Sequence, residues 1–385
     1  MDELLTKENI YYRDLTHDIA EKHVRPVAAE LDRTGDYPWS VIKALQDAGL
    51  MGVWIPKDYG GAGVLNLCIV VEELSRACGG IGVTYAVNSL GSFPIILGGT
   101  EEQKKKYLPD IATGKKLIAY ALSEKAAGSD AGSLKTKADK DGADYVISGD
   151  KKWTTNAGAA NIFTVFATVN PDRGTRGVTA FIVERDMPGF EIGKREDLMG
   201  IRCVPVHETH LRKCRVAASQ LLGGAEGRGF KHAMMTLDNA RPAVAAQALG
   251  LAQGALDLAI DYTRTREQFG QSISSFQAIQ FMLADMATQV EAARHLVYAA
   301  AKALDSGATN VSKLAAMAKV FATDTAMKVT TDAVQLFGGY GYCRDYPIEK
   351  YMRDAKITQI YEGTNQIQRV VISRALIKEG AAAEK

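Results

Sequence analysis

The chain lacks a dominant charge: its formal net charge is +1 although 24% of its residues are charged. That balance excludes a general electrostatic pull toward nucleic acid or an acidic membrane surface, so a phosphate-bearing ligand has to be held locally. Cysteine is sparse. Cys68, Cys78, Cys203, Cys214 and Cys343 form no CxxC pair and are odd in number, which predicts reduced thiols in a reducing compartment rather than a disulfide framework. No uninterrupted run reaches the roughly 18 apolar residues of a membrane span. The opening MDELLTKENIYYRD has neither an apolar signal core nor an Arg-rich, acid-poor transit pattern, and the expected location is cytoplasmic. Also missing are GxGxxG after a strand, GxxxxGK[ST], HExxH and GxSxG, which removes common nucleotide, zinc and hydrolase readings. His207 and His210 lie three apart in a β-like stretch, where their side chains point to opposite faces, so no metal is expected. No internal repeat or low-complexity block divides the chain.

What is present is enough apolar residue, 46% of 385 positions, for two or three subdomains. Residues 1–116 carry helical spacing: Ile19, Val24, Val27, Ala28 and Leu31 recur three or four apart, with Pro26 set to kink the first helix. Further segments follow at Pro38–Trp39 and Val64–Ala77, and Thr100 with Gln103 forms a capping box before EEQKKKYLPDIATG. From about 117 to 222 the texture becomes short β-branched and aromatic runs such as ADYVISG, NIFTVFATV and GVTAFIVE, which predict a small antiparallel β domain. Residues 223–385 return to long helices rich in alanine and glycine, a composition suited to a tightly packed bundle with a frayed GAAAEK tail. Arg241-Pro242 reads there as a helix start.

Chemistry concentrates in four stretches. RDAKITQIYEGTNQIQR, Arg353 to Arg369, offers Glu362 among Ile360, Tyr361, Gly363 and Ile367; burial there would raise its pKa into the range of a base near neutral pH. AYALSEKAAGSDAGS, Ala119 to Ser133, supplies hydroxyls and backbone N–H groups for a polar ring edge or phosphate, or else a serine-rich turn. KKWTTNAG sets Trp153 beside two threonines, which suits a planar heterocycle or a core position. QLFGGYGYCRDYPIEKYMRD, Gln335 to Asp354, has glycines that admit a ligand to the backbone or simply end a helix.

Together these stretches resemble the acyl-CoA dehydrogenase family over nearly the whole chain. Ala121 to Ser133 fits the family's first signature, Gln335 to Asp354 fits the second, and IYEGTNQIQR looks like its catalytic segment. Short-chain, butyryl-CoA-type bacterial members are most similar. The resemblance implies a mostly α protein in three domains, an N-terminal helical domain (1–116), a middle antiparallel β domain (117–222) and a C-terminal helical bundle (223–385).

The resemblance further implies FAD as cofactor and an acyl-CoA thioester as substrate. Glu362 would remove the α proton while the β carbon gives hydride to flavin N5. The enolate-like oxygen would be met by the Glu362 N–H and a ribityl hydroxyl. Tyr120, Leu122, Ser123, Trp153 and Thr155 match flavin-lining positions, and Thr364 and Gln366 lie near FAD. Arg266, Phe269, Gln277, Gln335 and Gly339 match positions that hold the FAD of a neighbouring subunit, which implies a homotetramer. Ser129, Asp238 and Arg241 match CoA contacts, with Tyr361 and Gly363 at the substrate. Asp238 could equally serve a salt bridge. Ala240 stands where some members place the base instead. The first signature usually reads Glu-Pro, whereas this chain has Glu124-Lys125, which loosens the expected loop geometry.

By the same resemblance, Val83 to Gly91 forms the far end of the acyl pocket, and the bulk of Tyr85 and Val87 predicts a short, branched or alicyclic acyl group. One methylene is worth about 1–3 kcal/mol there. An electron-transferring flavoprotein is the implied electron acceptor. Two rival readings are an enoyl-CoA reductase working in the reverse direction with a bifurcating partner, and a catalytically silent CoA- or flavin-binding protein.

Overall fold

A computed structural model describes residues 5–308 and 311–383. The first helix, α1 (Lys7–Ile19), opens with a reciprocal cap: Asn9 N–H donates to Thr6 Oγ1 at 3.2 Å and Thr6 N–H to Asn9 Oδ1 at 3.0 Å. It passes through one wide π turn at Ala20–Val24 into α2 (Arg25–Thr34). Pro26 lacks an N–H and its ring clashes with the carbonyl one turn back. The wide turn accommodates both at the expected kink. Next come α3 (Trp39–Asp47), α4 (Val64–Ala77), α5 (Gly79–Gly98) and α6 (Glu101–Ala112). The Thr100–Gln103 capping box starts α6 as expected.

Every residue of α4 except Arg76 is buried. Asp305 caps its N-terminus from the C-terminal part of the chain, accepting from Val64 N–H at 2.6 Å and Leu65 N–H at 2.9 Å. A carboxylate there satisfies two orphan donors and complements the helix dipole.

The middle of the chain forms seven strands: β1 (Ile118–Ala121), β2 (Lys137–Asp141), β3 (Asp144–Thr154), β4 (Ile162–Thr168), β5 (Val178–Glu184), β6 (Phe190–Arg195) and β7 (His207–Val216). They pair in the order β1-β4-β2-β3-β7-β6, with β5 also on β4. The sheet is not wholly antiparallel. β1 runs parallel to β4, Ile118 opposite Ile162 and Ala121 opposite Val165. A parallel pair needs a long crossover, and the β2–β3 hairpin lies within that connection. All of β4 is buried because one face meets the sheet's own core and the other meets helices. Thr164 Oγ1 donates to the Gly91 carbonyl of α5 at 2.9 Å, and Ile118 N–H to Asn88 Oδ1 at 3.1 Å.

The remaining helices are α7 (Gly229–Thr265), α8 (Gln277–Asp305), α9 (Val311–Phe337), α10 (Ile348–Thr358) and α11 (Asn365–Ala383); a two-stranded hairpin, β8 (Glu267–Gln268) with β9 (Gln271–Ser272), joins α7 to α8. Two expectations change here. Pro242 does not begin a helix; it lies inside the 37-residue α7. Burial of residues 240–252 on that helix outweighs the one lost backbone hydrogen bond. Of the tail expected to fray, residues 380–383 are helical, and Glu384 and Lys385 lie outside the described residues.

Small residues let α7 approach α4. A Cβ on Gly250 would stand 2.2 Å from the Glu72 carbonyl, and one on Gly254 would stand 2.3 Å from that of Arg76. Two helices, Gly79–Gly98 and Gly229–Thr265, contain 18-residue windows apolar enough on average to cross a membrane, although no uninterrupted apolar run exists. Each window is 78% buried inside the protein, so the apolar character is used in the core.

Candidate active site

Glu362 sits in the short link between α10 and α11. α10 is tied to two other parts of the chain, through Asp32 and Ile201, and braced by two ion pairs within itself. Arg353 forks onto Asp32 (2.7 and 3.1 Å) and Glu349, Asp354 Oδ1 accepts from Ile201 N–H at 2.5 Å, and Lys350 pairs with Asp354. After that anchor the backbone turns through left-handed angles, φ 51° at Glu362 and 91° at Gly363. A non-glycine residue there is strained and must be held by its surroundings. Gln368 Nε2 donates to the carbonyls of Gly363 (2.9 Å) and Glu362 (3.2 Å), and Lys319 Nζ also donates to Gly363 O at 2.9 Å. Tyr361 OH donates to Gln247 Oε1 on α7.

The carboxyl of Glu362 has its Oε2 buried without a hydrogen-bond partner. Burial raises its pKa from the ordinary 4.5 to about 7, against the opposing pull of the Lys319 and Arg241 cations. Its N–H meets no backbone carbonyl among the described residues. Arg241, 4% exposed, is paired through Nη1 with Asp238 Oδ1 at 2.6 Å, while its Nε has no partner. Asp238 Oδ1 also accepts from Ser312 Oγ at 3.0 Å, so the salt-bridge role left open for Asp238 is real. Ala240, buried beside them on α7, brings no rival carboxyl.

Other buried polar atoms without partners among the described residues include the Tyr120 hydroxyl, Thr236 Oγ1, Asn156 Oδ1 and Gln368 Oε1, along with the Tyr37 hydroxyl, Ser75 Oγ and His232 Nδ1. Tyr120 and Arg241 both feel the charge of Glu362. Unsatisfied buried groups are costly, and three of them, Tyr120, Arg241 and Gln368, interact with Glu362 or its link, which suits a polar ligand there.

On the sheet side, Leu122 is buried, Ser123 and Thr155 are partly exposed, and Trp153 has φ 57° with half its surface open. An open indole beside hydroxyls fits a planar ring system. The loop at Glu124-Lys125 is firmly held. Lys125 is exposed, and the loop is fixed by Glu124, which accepts from Lys151 Nζ (2.8 Å), Thr136 Oγ1 (2.6 Å), Thr136 N–H (3.0 Å) and Lys135 N–H (2.7 Å). Lys151 Nζ reaches on to the Leu122 carbonyl at 3.1 Å.

Away from Glu362, a cavity of about 630 Å³ is lined by Arg266, Phe337, Gly339 and Tyr340 among others. Arg266 lies 5.6 Å over the Tyr340 ring. Nearby Phe269, φ 54°, is 93% exposed, and Gln277 and Gln335 are exposed as well. Phe337 of this cavity and Lys319 of the Glu362 site lie on the same helix, 18 residues apart, which is about 27 Å of α-helix. One chain therefore divides the expected cofactor positions between two places.

Ser129 and Gln366 are exposed and Thr364 is partly so. Tyr85 departs from the acyl-pocket expectation. Its hydroxyl donates to the Leu50 carbonyl at 2.7 Å and its ring meets Trp54 edge-on at 5.5 Å, so its bulk fills the N-terminal helical core. Val87, two positions on, is buried and points to the opposite side of the helix. Sequence reasoning missed Lys319, Gln247, Gln368 and the Glu124–Lys151 pair. Lys319 had a readable signal: a lone cation between Ala315 and Ala322 on a face that is otherwise apolar.

A helical bundle, a central sheet and a second bundle around a buried, partnerless carboxyl define a chain of the acyl-CoA dehydrogenase type. Family models agree in all three parts: "Acyl-CoA dehydrogenase, N-terminal domain" matches residues 6–115, "middle domain" 119–214 and "C-terminal domain" 227–377. The chain belongs to the acyl-CoA dehydrogenase family, an FAD-dependent class of oxidoreductases. It is 50% identical to "Probable acyl-CoA dehydrogenase fadE25" of Mycobacterium leprae, over 97% of this chain and 96% of that one. Among solved structures it is similar to butyryl-CoA dehydrogenase from Megasphaera elsdenii, with a TM-score of 0.94 at 45% identity, covering 97% and 99% of the two chains. It is also similar to a chain in a structure described as "Electron transferring flavoprotein of Acidaminococcus fermentans: Towards a mechanism of flavin-based electron bifurcation". There the TM-score is 0.95 at 50% identity, covering 98% and 99%.

Proposed function

We propose that the protein oxidises a short-chain, branched or alicyclic acyl-CoA to its α,β-enoyl-CoA, with Glu362 as the base that takes the α proton. The observation that carries this reading is the partnerless, buried Oε2 of Glu362 with its pKa near 7. A carboxylate of ordinary acidity is too weak a base for a proton next to a thioester carbonyl, and burial supplies the missing basicity. The free N–H of Glu362 is suited to donate to the thioester oxygen as negative charge develops there. Gly363 leaves room beside the reacting carbons, and Arg241 and Asp238 form a charged pair on α7 suited to the CoA portion.

FAD, when bound, accepts the hydride equivalent that leaves the β carbon. Tyr120, Leu122, Ser123, Trp153 and Thr155, with Thr364 and Gln366 after the base, would hold its ring system. The orphaned Tyr120 hydroxyl and Asn156 Oδ1 and the open face of Trp153 support that fit. Arg266, Phe269, Gln277, Gln335 and Gly339 would hold the distal part of a neighbouring subunit's FAD. The separation along α9 and the exposed Phe269 favour such sharing, in a homotetramer. Val87 carries what remains of the acyl-length reading once Tyr85 is assigned to the core.

Purified protein is expected to be yellow and to bleach anaerobically with butyryl-CoA or a branched or alicyclic analogue, at least tenfold faster than with dodecanoyl-CoA. A colourless preparation that takes up no FAD overturns the reading. The second reading, an enoyl-CoA reductase coupled to a bifurcating flavoprotein, draws on the Acidaminococcus likeness. It predicts NADH-driven enoyl-CoA reduction only when such a partner is added, whereas the dehydrogenase reading has an electron-transferring flavoprotein accept electrons from the reduced enzyme.

A further inference from the structure

Lys319 is buried completely, at 0% exposure, in the middle of α9. A buried ammonium is costly unless its protons are all directed at acceptors, and among the described residues no carboxylate lies within 4 Å of it. Its two hydrogen bonds instead go to the link that carries Glu362: the Gly363 carbonyl and Asn365 Oδ1, each at 2.9 Å. Asn365 opens α11 and is itself fixed, its Nδ2 donating to Thr323 Oγ1 at 2.8 Å and Asp324 Oδ1 at 2.7 Å. Asp324 also receives Gln359 Nε2 at 2.7 Å, so α9 grips the link on both sides of Glu362. The grip closes over the two left-handed residues, Glu362 and Gly363.

We propose that Lys319 is a positioning residue for the reaction, its ammonium holding the Glu362–Gly363 turn by the Gly363 carbonyl and setting the field in which Glu362 accepts the α proton. It rests on the reading of Glu362 as the base. The charged and titratable groups facing this region are Glu362 and Tyr361 on the link, Arg241 and Asp238 on α7, Asp324 on α9 and Tyr120 on β1. Lys319 and Arg241 both oppose protonation of Glu362; burial pulls the pKa of Lys319 itself down to about 7, against the opposing pull of the Glu362 charge, so the two groups titrate in the same range. Arg241 already shares its charge with Asp238, whereas Lys319 has no ion-pair partner within 4 Å among the described residues.

Lys319→Met keeps the stem and removes the charge. It is expected to retain bound FAD, to lower the bleaching rate at pH 7 about five- to tenfold, and to move the acid limb of the rate profile upward by about one pH unit. Lys319→Arg is expected to keep the limb near its original pH. Asn365→Ala loosens the grip and leaves the charge, so the rate should fall without movement of the limb.

A second readout needs no turnover: the infrared band of protonated Glu362, identified as the carboxyl signal absent from Glu362→Gln, should persist to higher pH in Lys319→Met. If Lys319→Met does not fold, Lys319→Gln is read in the same way. An unchanged rate and unchanged infrared titration in folded, FAD-loaded Lys319→Met overturn the proposal. A shifted infrared titration with full activity retained in Glu362→Gln would instead overturn the base assignment and leave the field of Lys319 standing.

Discussion

Replacing Glu362 by Gln should separate stability from activity in a pH-dependent way. In the folded protein the carboxyl holds its proton up to about pH 7, against an ordinary 4.5. Between those values the unfolded chain is already ionised and the folded chain is not, so stability falls as pH rises through the window. The penalty is absent below 4.5 and complete above 7. At about 1.4 kcal/mol per pH unit the full interval converts to roughly 3 kcal/mol, and the partial exposure of the residue discounts this to about 1–2 kcal/mol.

Glu362→Gln, which has no charge to bury, should therefore melt roughly 1–4 °C higher than the parent at pH 8, with the difference shrinking toward zero at pH 4.5. Anaerobic bleaching by substrate should fall by at least 10²–10⁴-fold in the same variant. In the parent, the bleaching rate should fall about tenfold per pH unit below 7, as the carboxylate is protonated. Scanning calorimetry across pH 5–8 and stopped-flow flavin absorbance read the two effects. A melting difference that does not change with pH would show that Glu362 is not a strained, buried acid. Rapid bleaching by Glu362→Gln would remove it from the chemistry.

Three further outcomes follow from particular contacts. Gly363→Ala forces a Cβ to 2.7 Å from Gln368 Nε2 at φ 91°, which should cost about 1–3 kcal/mol in a denaturant melt and reduce bleaching with FAD still bound. Lys151→Met leaves Glu124 charged and buried, which should cost about 3–5 kcal/mol, while Glu124→Gln/Lys151→Met should recover much of the loss; thermal melts of the set decide. Trp153→Ala removes an open side chain, so stability should stay within about 0.5 kcal/mol, but FAD should be lost more readily on dilution, read from the visible-to-ultraviolet absorbance ratio.

The order of helix, sheet and helix was legible because each region has a clean local signal: three-to-four spacing before 116, β-branched runs between glycine turns to 222, and alanine-rich helices after that. Pairing partners were less legible. The parallel contact of β1 with β4 depends on residues more than 40 positions apart, which alternation within one strand does not specify. Pro242 misled for a related reason: a local breaker was overruled by burial that only the packed α7 provides.

Composition and spacing alone determined a three-part chain of nearly balanced charge and set Glu362 beside a glycine in apolar company, since periodicity and composition are properties of neighbours in sequence; the role of base came from the family resemblance of the segment. Tertiary structure decided how basic that carboxyl is, because desolvation and the Lys319 and Arg241 fields come from α9 and α7, far away along the chain. It also decided that Tyr85 serves the core, since the direction of a side chain on a helix buried on all sides depends on what packs around it. The Glu124–Lys151 pair that holds the loop was likewise visible only once strand β3 lay beside it.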